Sequence, residues 1–244
     1  MESTSLHRLA VLVALHISFI QGVAAQSGED FVKQMHLRYQ NKWYKTLTFT
    51  QETEIYKNDS LLRKSTWYEM VRFPYELRID VDSINGDNKT FYKKDSTYRV
   101  RKNKIQAVSV DPNPFIFFLG GMYMLPFDSV KATLARNGYN LALGNVTNWK
   151  NRKTYVIGAA DDTDSTRNQF WVDAEHLYIV RIKVQLGNTA LDVHLSDHIK
   201  LTEGWSETKV QFYRNGQLLQ VEKYRDLKPD VVLSDDLFDL SRYR

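Results

Sequence analysis

Two stretches carry the residue types that most often do chemistry. The first is "QFWVDAEHLYIVRIKV", residues 169–184, where Asp173, Glu175 and His176 crowd a turn between two strand-like segments. General acid–base work needs groups that converge on one reacting atom inside a cleft, whereas polar residues at the tip of a turn face water. A corner of a sheet is therefore the stronger reading. The second is "ALDVHLSDHIK", in which His194 and His198 stand four apart. On a helix that interval holds a metal, but this segment alternates, with Leu191, Val193 and Leu195 on one face and Asp192, His194, Ser196 and His198 on the other. At about 3.3 Å per strand residue the two imidazoles lie some 13 Å apart, too far to share an ion. Asp161-Asp162-Thr163-Asp164 lacks the glycine and the distal glutamate of a calcium loop and reads as a hairpin tip. No metal site and no cofactor are expected.

The chain has no cysteine, so a disulfide, a thiol nucleophile and a cysteine-borne lipid anchor are all excluded. Gly-x-Ser-x-Gly, phosphate-loop and dinucleotide motifs are absent as well. At the N-terminus Arg8 precedes the apolar run Leu9–Ile20, and Val23-Ala24-Ala25 offers small residues for cleavage. Residues 1–25 read as a signal peptide cut after Ala25. A retained anchor is the other reading, although the apolar run falls short of the roughly 20 residues that span a bilayer. Cleavage leaves 244 − 25 = 219 residues, expected to form a single soluble, monomeric domain over 26–244. The net charge of +4 is spread over closely alternating acids and bases, with no long basic run. Nucleic-acid binding is not expected.

The elements that would position a site divide into one helix, many strands and one apolar insertion. Ser27-Gly-Glu-Asp30 has the form of a capping box, and Phe31, Met35, Tyr39 and Trp43 then recur every four residues, predicting an amphipathic helix over 28–43. From Thr46 the period becomes two. In "YELRIDVD", Tyr75, Leu77, Ile79 and Val81 point one way while Glu76, Arg78, Asp80 and Asp82 point to solvent. Half-wet alternation of this kind predicts antiparallel pairing. Strands are expected at 46–57, 61–73, 75–82, 89–94, 97–102, 104–110, 139–146, 153–159, 168–173, 177–187, 190–200, 207–214 and 217–225. A sheet of roughly a dozen strands must curl or close, and its concave side needs a cover.

Two segments can supply that cover: the N-terminal helix and the insertion 114–136. "PFIFFLGGMYMLPF", residues 114–127, carries no charge, and Gly120-Gly121 and Pro126 break any regular run. Asp128 and Ser129 then cap a short helix closed by Asn137-Gly138. So much apolar surface in one bendable insertion suggests an acyl or other lipid ligand. A segment that merely plugs the sheet is the plainer alternative. The residues expected to line a lipid cavity and its lid are Phe49, Leu77, Ile79, Phe115, Phe117, Phe118, Met122, Met124 and Leu125. The glycine pair is expected to make the lid mobile.

In order and spacing the chain resembles the periplasmic lipoprotein carriers of the LolA type. An N-terminal helix precedes Phe49-Thr50-Gln51; "WYEMVRFPYELRID", "NGDNKTFY", "NPFIFFL" and "FWVDAEHLYIVRIKV" follow in the family's sequence. The resemblance implies a mainly β fold with a helical cover, an incomplete, half-open antiparallel β-barrel under an N-terminal helix and a central loop-helix lid. It further implies a periplasmic carrier that takes acylated lipoproteins from an inner-membrane ABC release complex to an outer-membrane acceptor, with no enzymatic activity. An arginine beside the family's proline locks the lid, and Arg72 is the corresponding residue here, although Phe73 stands between it and Pro74. A periplasmic lipid sensor on the same fold is the alternative, and a secreted hydrolase is the alternative of a different class. At about 0.8 kcal/mol per CH₂, three fully buried acyl chains would bind by roughly 30 kcal/mol, beyond the ceiling near 20 reached by non-covalent complexes. A carrier that must release its cargo buries it only in part.

Overall fold

The computed structural model describes residues 26–243; the expected signal peptide lies outside them. Helix α1 (Gly28–Tyr39) opens on the expected capping box: Asp30 N donates to Ser27 Oγ at 3.2 Å and Ser27 N to Asp30 Oδ2 at 2.9 Å. It ends one turn earlier than the stripe predicts, because Gln40 leaves the helical region and Asn41 takes φ 61°. Trp43 is nevertheless buried, packed edge-on against Tyr39.

The strands are β1 (Thr46–Lys57), β2 (Ser60–Arg72), β3 (Glu76–Val81), β4 (Lys89–Lys93), β5 (Ser96–Arg101), β6 (Lys104–Val110), β7 (Gly144–Trp149), β8 (Arg152–Ile157), β9 (Gln169–Asp173), β10 (Ile179–Leu186), β11 (Thr189–Ser196), β12 (Ile199–Leu201), β13 (Gly204–Ser206), β14 (Lys209–Arg214) and β15 (Gln217–Pro229). Thirteen of them form one antiparallel sheet in the order β6-β5-β4-β3-β2-β1-β15-β14-β11-β10-β9-β8-β7. The ends of that order, β6 and β7, do not pair, so the sheet curls without closing, an incomplete barrel with helical elements over it. Tight hairpins follow from the turn residues: Asn58-Asp59 and Asn215-Gly216 both sit at positive φ, the backbone twist that two-residue hairpins require.

Three strand expectations need correction. The segment 139–146 is not a strand; the strand runs Gly144–Trp149, and Tyr139 makes only an isolated bridge to Asn168. The segment 190–200 is broken after Ser196 by Asp197 at φ 55°, which turns the chain into the separate two-stranded hairpin β12-β13. The third correction concerns β3, whose alternation holds while its outer face is not wet. Arg78 and Asp80 are buried because the segment after β15 folds back over them as two short 3-10 turns, Asp235–Phe238 and Leu240–Tyr243. Phe238 is 1 % exposed there.

The insertion is more ordered than its sequence suggests. It contains α2 (Pro114–Phe118), a 3-10 turn (Gly121–Met124) and α3 (Phe127–Arg136). Asn113 caps α2 by accepting from Phe115 N at 2.9 Å, with Pro114 at the first helical position. Asp128 lies within the first turn of α3 rather than before it, since Pro126 occupies the N-cap. The cover is tied together by His36 Nε2 against the Leu125 carbonyl at 2.8 Å and by Lys131 to Glu29 at 3.1 Å. No helix among the described residues is long and apolar enough to cross a membrane.

Candidate ligand cavity

The curl of the sheet and the cover form a partly open cavity of about 270 Å³. Its floor follows from strand parity. On β1, Leu47, Phe49 and Gln51 face inward; opposite them in register stand Val71, Glu69 and Trp67 of β2, and beyond those Leu77 and Ile79 of β3. Phe212 of β14 and Gln220, Glu222 and Tyr224 of β15 complete the curve. Phe115, Ile116 and Leu119 form the roof, the first, second and fifth positions of a helical turn and therefore on one side of it. Tyr44 and Glu207 close one flank, with the Tyr44 hydroxyl donating to the Trp205 carbonyl at 3.0 Å.

Of the expected lining residues, Phe49, Leu77, Ile79 and Phe115 are at the cavity. Phe117, Phe118, Met122, Met124 and Leu125 are not among its lining. The reason is periodicity: a stretch read as an irregular loop is helical from Pro114, so Phe118 turns away to pack on Tyr139 and Phe170 at 5.5 and 5.3 Å, and Phe117 packs edge-on against Phe118. Met122 is fully buried in the core under the cover, against which Met124 and Leu125 pack half-buried. Gly120 serves close approach: a Cβ there would stand 2.7 Å from the Phe73 ring and 2.8 Å from Trp43 Nε1.

Arg72 points to the outer side. Its Nε donates to Glu76 Oε2 at 2.6 Å, its Nη1 to Asp235 at 2.5 Å, and its guanidinium lies 4.7 Å over the Phe238 ring. The partners of Arg72 thus belong to β3 and the C-terminal segment, and the lid lies on the other face of the sheet. The one-residue spacer before Pro74 sends the side chain outward.

Three glutamates that the sequence reading passed over are the cavity's most unusual feature. Glu69, Glu207 and Glu222 all line it, and they are 7 %, 4 % and 7 % exposed. Glu69 stands in register between Phe49 and Ile79, and its carboxyl accepts no hydrogen bond from any described residue. Burial, reinforced by the neighbouring Glu222 and Glu207, raises its pKa well above the ordinary value. Burial likewise pushes Glu207 up to about 8 and Glu222 up to about 7. Glu222 alone is well supplied, accepting from Tyr224 Oη at 2.6 Å and Gln220 Nε2 at 2.5 Å. Among the described residues no Lys, Arg or His lines the cavity. The parity of Glu69 with Trp67 and Val71 was the available signal in the sequence.

The opening motif is framework. Asp173 Oδ1 accepts from His176 N at 2.8 Å and Glu175 N at 3.1 Å, closing the turn after β9, and Trp205 packs edge-on against His176. His194 lies on β11 beside Trp149 and Tyr213, while His198 lies past the strand end, stacked 3.9 Å from Tyr178 with Nε2 at 3.0 Å from the Ile179 carbonyl. The two histidines are in different surroundings, not on one strand face. Among the described residues no group of three or more His, Cys, Asp or Glu is arranged to hold a metal ion.

No protein-family model and no curated protein matches the chain in sequence. Solved structures do match in fold. A DUF1329 family protein from Desulfovibrio piger ATCC 29098 superposes with TM-score 0.61 at 16 % identity, covering 89 % of this chain and 98 % of its own. A LolA superfamily protein from Nitrosomonas europaea gives 0.55 at 8 % identity, covering 88 % and 98 %. A candidate outer membrane lipoprotein-sorting protein domain from Vibrio parahaemolyticus gives 0.53 at 8 %, covering 88 % and 97 %. The fold is LolA-like over nearly all of the described residues.

Proposed function

We propose that this protein is a non-enzymatic carrier that holds an acyl chain in the cavity between sheet and cover. The observation that supports it most is the cavity's wall: Phe49, Leu77, Ile79, Phe115, Ile116 and Phe212 present apolar surface from both sheet and roof. Apolar enclosure with a few convergent polar groups is the usual make-up of a small-molecule site. In this reading the chain is exported, cut after Ala25, and works in the periplasm as a soluble monomer. It receives an acylated lipoprotein or related lipid from an inner-membrane ABC release complex and passes it to an outer-membrane acceptor.

The size of the cavity bears on the mechanism. At about 270 Å³ it falls just below the usual span of ligand sites, roughly 300–1,000 Å³. One chain segment is accommodated as the walls stand, and a three-chain lipoprotein would leave most of its methylenes outside or require α2 to move. Partial burial keeps affinity low enough for release.

Native mass spectrometry of protein purified from its own periplasm without detergent tests the reading. An adduct of acyl mass, competed away by a photoreactive acyl probe that cross-links to peptides containing Phe115 or Phe49, is the expected result. Bare protein in every preparation, together with no cross-link at those peptides, would overturn it.

A further inference from the structure

The carrier reading leaves three carboxyls unexplained. Val or Leu at 69, 207 and 222 would complete an apolar wall, and burying a carboxyl without partners costs free energy that such residues would avoid. Glu69 is the sharpest case, more than nine-tenths buried, aimed into the cavity and without a hydrogen-bond donor among the described residues. Neither Glu207 nor Glu222 can serve it as a cation, and no basic side chain among the described residues lines the space. In a chain of net charge +4, the wall of this cavity is thus purely acidic where it is charged. The remaining titratable groups there are the phenols of Tyr44, Tyr92 and Tyr224, which are neutral acceptors and donors.

That pattern discriminates between head groups. A carboxylate or phosphate brought into the cavity meets other carboxyls and no cation, so it is repelled or must be protonated. A protonated amine meets the reverse. Its N–H groups match the unpartnered carboxyl of Glu69, its charge is countered by the carboxyls of the wall, and the rings of Trp67, Tyr92 and Tyr224 in the same wall offer cation–π attraction.

We propose that the cavity selects an amphiphile bearing a protonated amine, whose nitrogen seats among Glu69, Glu207 and Glu222 while its apolar chain runs between Phe49, Ile79 and Phe115. This rests on the carrier reading and specifies its ligand. The carboxyls that burial keeps protonated in the empty cavity ionise as the cation arrives, so binding near neutral pH expels protons to solvent.

The test compares three probes of equal chain length, decylamine, decan-1-ol and decanoate, each below its micellar concentration, by isothermal calorimetry at pH 7 in two buffers of different ionisation heat. Decylamine should bind at least tenfold more tightly than decan-1-ol and release protons, with decanoate the weakest. In the Glu69→Gln/Glu207→Gln/Glu222→Gln variant, checked for native circular dichroism, the preference and the proton release should both vanish. The neutral amide is close in shape to the protonated acid that burial favours, so this variant is expected to fold; single substitutions, each cutting the preference in part, provide a second route. Equal affinity for alcohol and amine, tighter binding of decanoate, or a preference that survives the triple substitution overturns the amine assignment while leaving the carrier reading in place. Failure of all three probes, and of the photoreactive acyl probe, overturns the carrier reading and the amine assignment with it.

Discussion

Arg78 and Asp80, two residues apart on the outer face of β3, are joined by parallel hydrogen bonds of 2.8 Å (Nε to Oδ1) and 2.7 Å (Nη2 to Oδ2) beneath the C-terminal segment. Further bonds hold the pair in place: Arg78 also donates to the Leu237 carbonyl at 3.0 Å and to Asn85 Oδ1 at 2.7 Å, and Asp80 Oδ2 accepts from Asn85 N at 2.7 Å. The pair is 3 % and 0 % exposed. Removing one partner of such a pair strands the other charge and costs about 3–5 kcal/mol. Asp80→Asn is therefore expected to lower the unfolding free energy measured in urea by that amount without changing probe binding, since the pair lies on the face away from the cavity. A cost under about 1 kcal/mol would show that the C-terminal segment does not seal the pair from water in solution.

Glu207 and Glu222 set a pH dependence of opposite sense to ordinary carboxylates. Their native pKa values, about 8 and about 7, stand above the usual 4.5. The native state holds protons that the unfolded chain gives up, so stability falls as pH rises from about 4.5 and stops falling near 7 for Glu222 and near 8 for Glu207. Each group contributes a slope of up to about 1.4 kcal/mol per pH unit within its window. Chemical denaturation of Glu222→Gln against the native chain should show the variant gaining relative stability between pH 4.5 and 7 and none above that window.

His198 works against that trend at lower pH. Burial against Tyr178 depresses its pKa from 6.5 to about 4, so below 6.5 the unfolded chain takes up a proton that the native state refuses. Stability from this group is present above 6.5 and lost as pH falls toward 4, on the order of 3 kcal/mol across the window. The stability difference between His198→Gln and the native chain, followed by denaturation from pH 7 to 4, should shrink or reverse by that amount. A constant difference would place the imidazole in contact with water.

Phe115 and Phe118 are three residues apart in α2 and should behave differently. Phe115 faces the cavity and packs on Phe212 at 5.6 Å, whereas Phe118 is 4 % exposed in the core. Phe118→Ala should cost about 3–5 kcal/mol of stability. Phe115→Asp should weaken acyl-probe binding by at least tenfold while the chain remains folded, because it places a charge in the roof. Fluorescence titration with an acyl probe, paired with urea unfolding of both variants, separates the two roles.

Much of the scaffold was legible because strand alternation and hairpin turns are local properties. The inward parity of Leu77 and Ile79, the capping box at Ser27 and Asp30, and the hairpin at Asn215-Gly216 are all written within a few neighbouring residues. The roof was half legible. Phe115 lines the cavity, yet Phe117, Met124 and Leu125 do not, because the orientation of side chains there depends on α2 being helical, and its cap at Asn113 was not recognised. The burial of Arg78 and Asp80 was not legible at all, since it is imposed by Phe238 from the other end of the chain. Glu69, Glu207 and Glu222 come together only through the pairing of distant strands, a relation that no single window of sequence contains.

The seam between β1 and β15 also dictates an order of events for a chain synthesised N-terminus first. Most other neighbours in the large sheet are successive hairpins that can zip as soon as they emerge, but Gln51 pairs with Tyr224, 224 − 51 = 173 residues downstream. Joining them closes a loop whose entropy cost must be met before the contact gives anything back, the condition that slows non-local topologies. Both strands contribute to the cavity floor. A chain made N-terminus first therefore has no complete cavity floor until β15 has formed, so the cavity is among the last parts of the large sheet to be assembled.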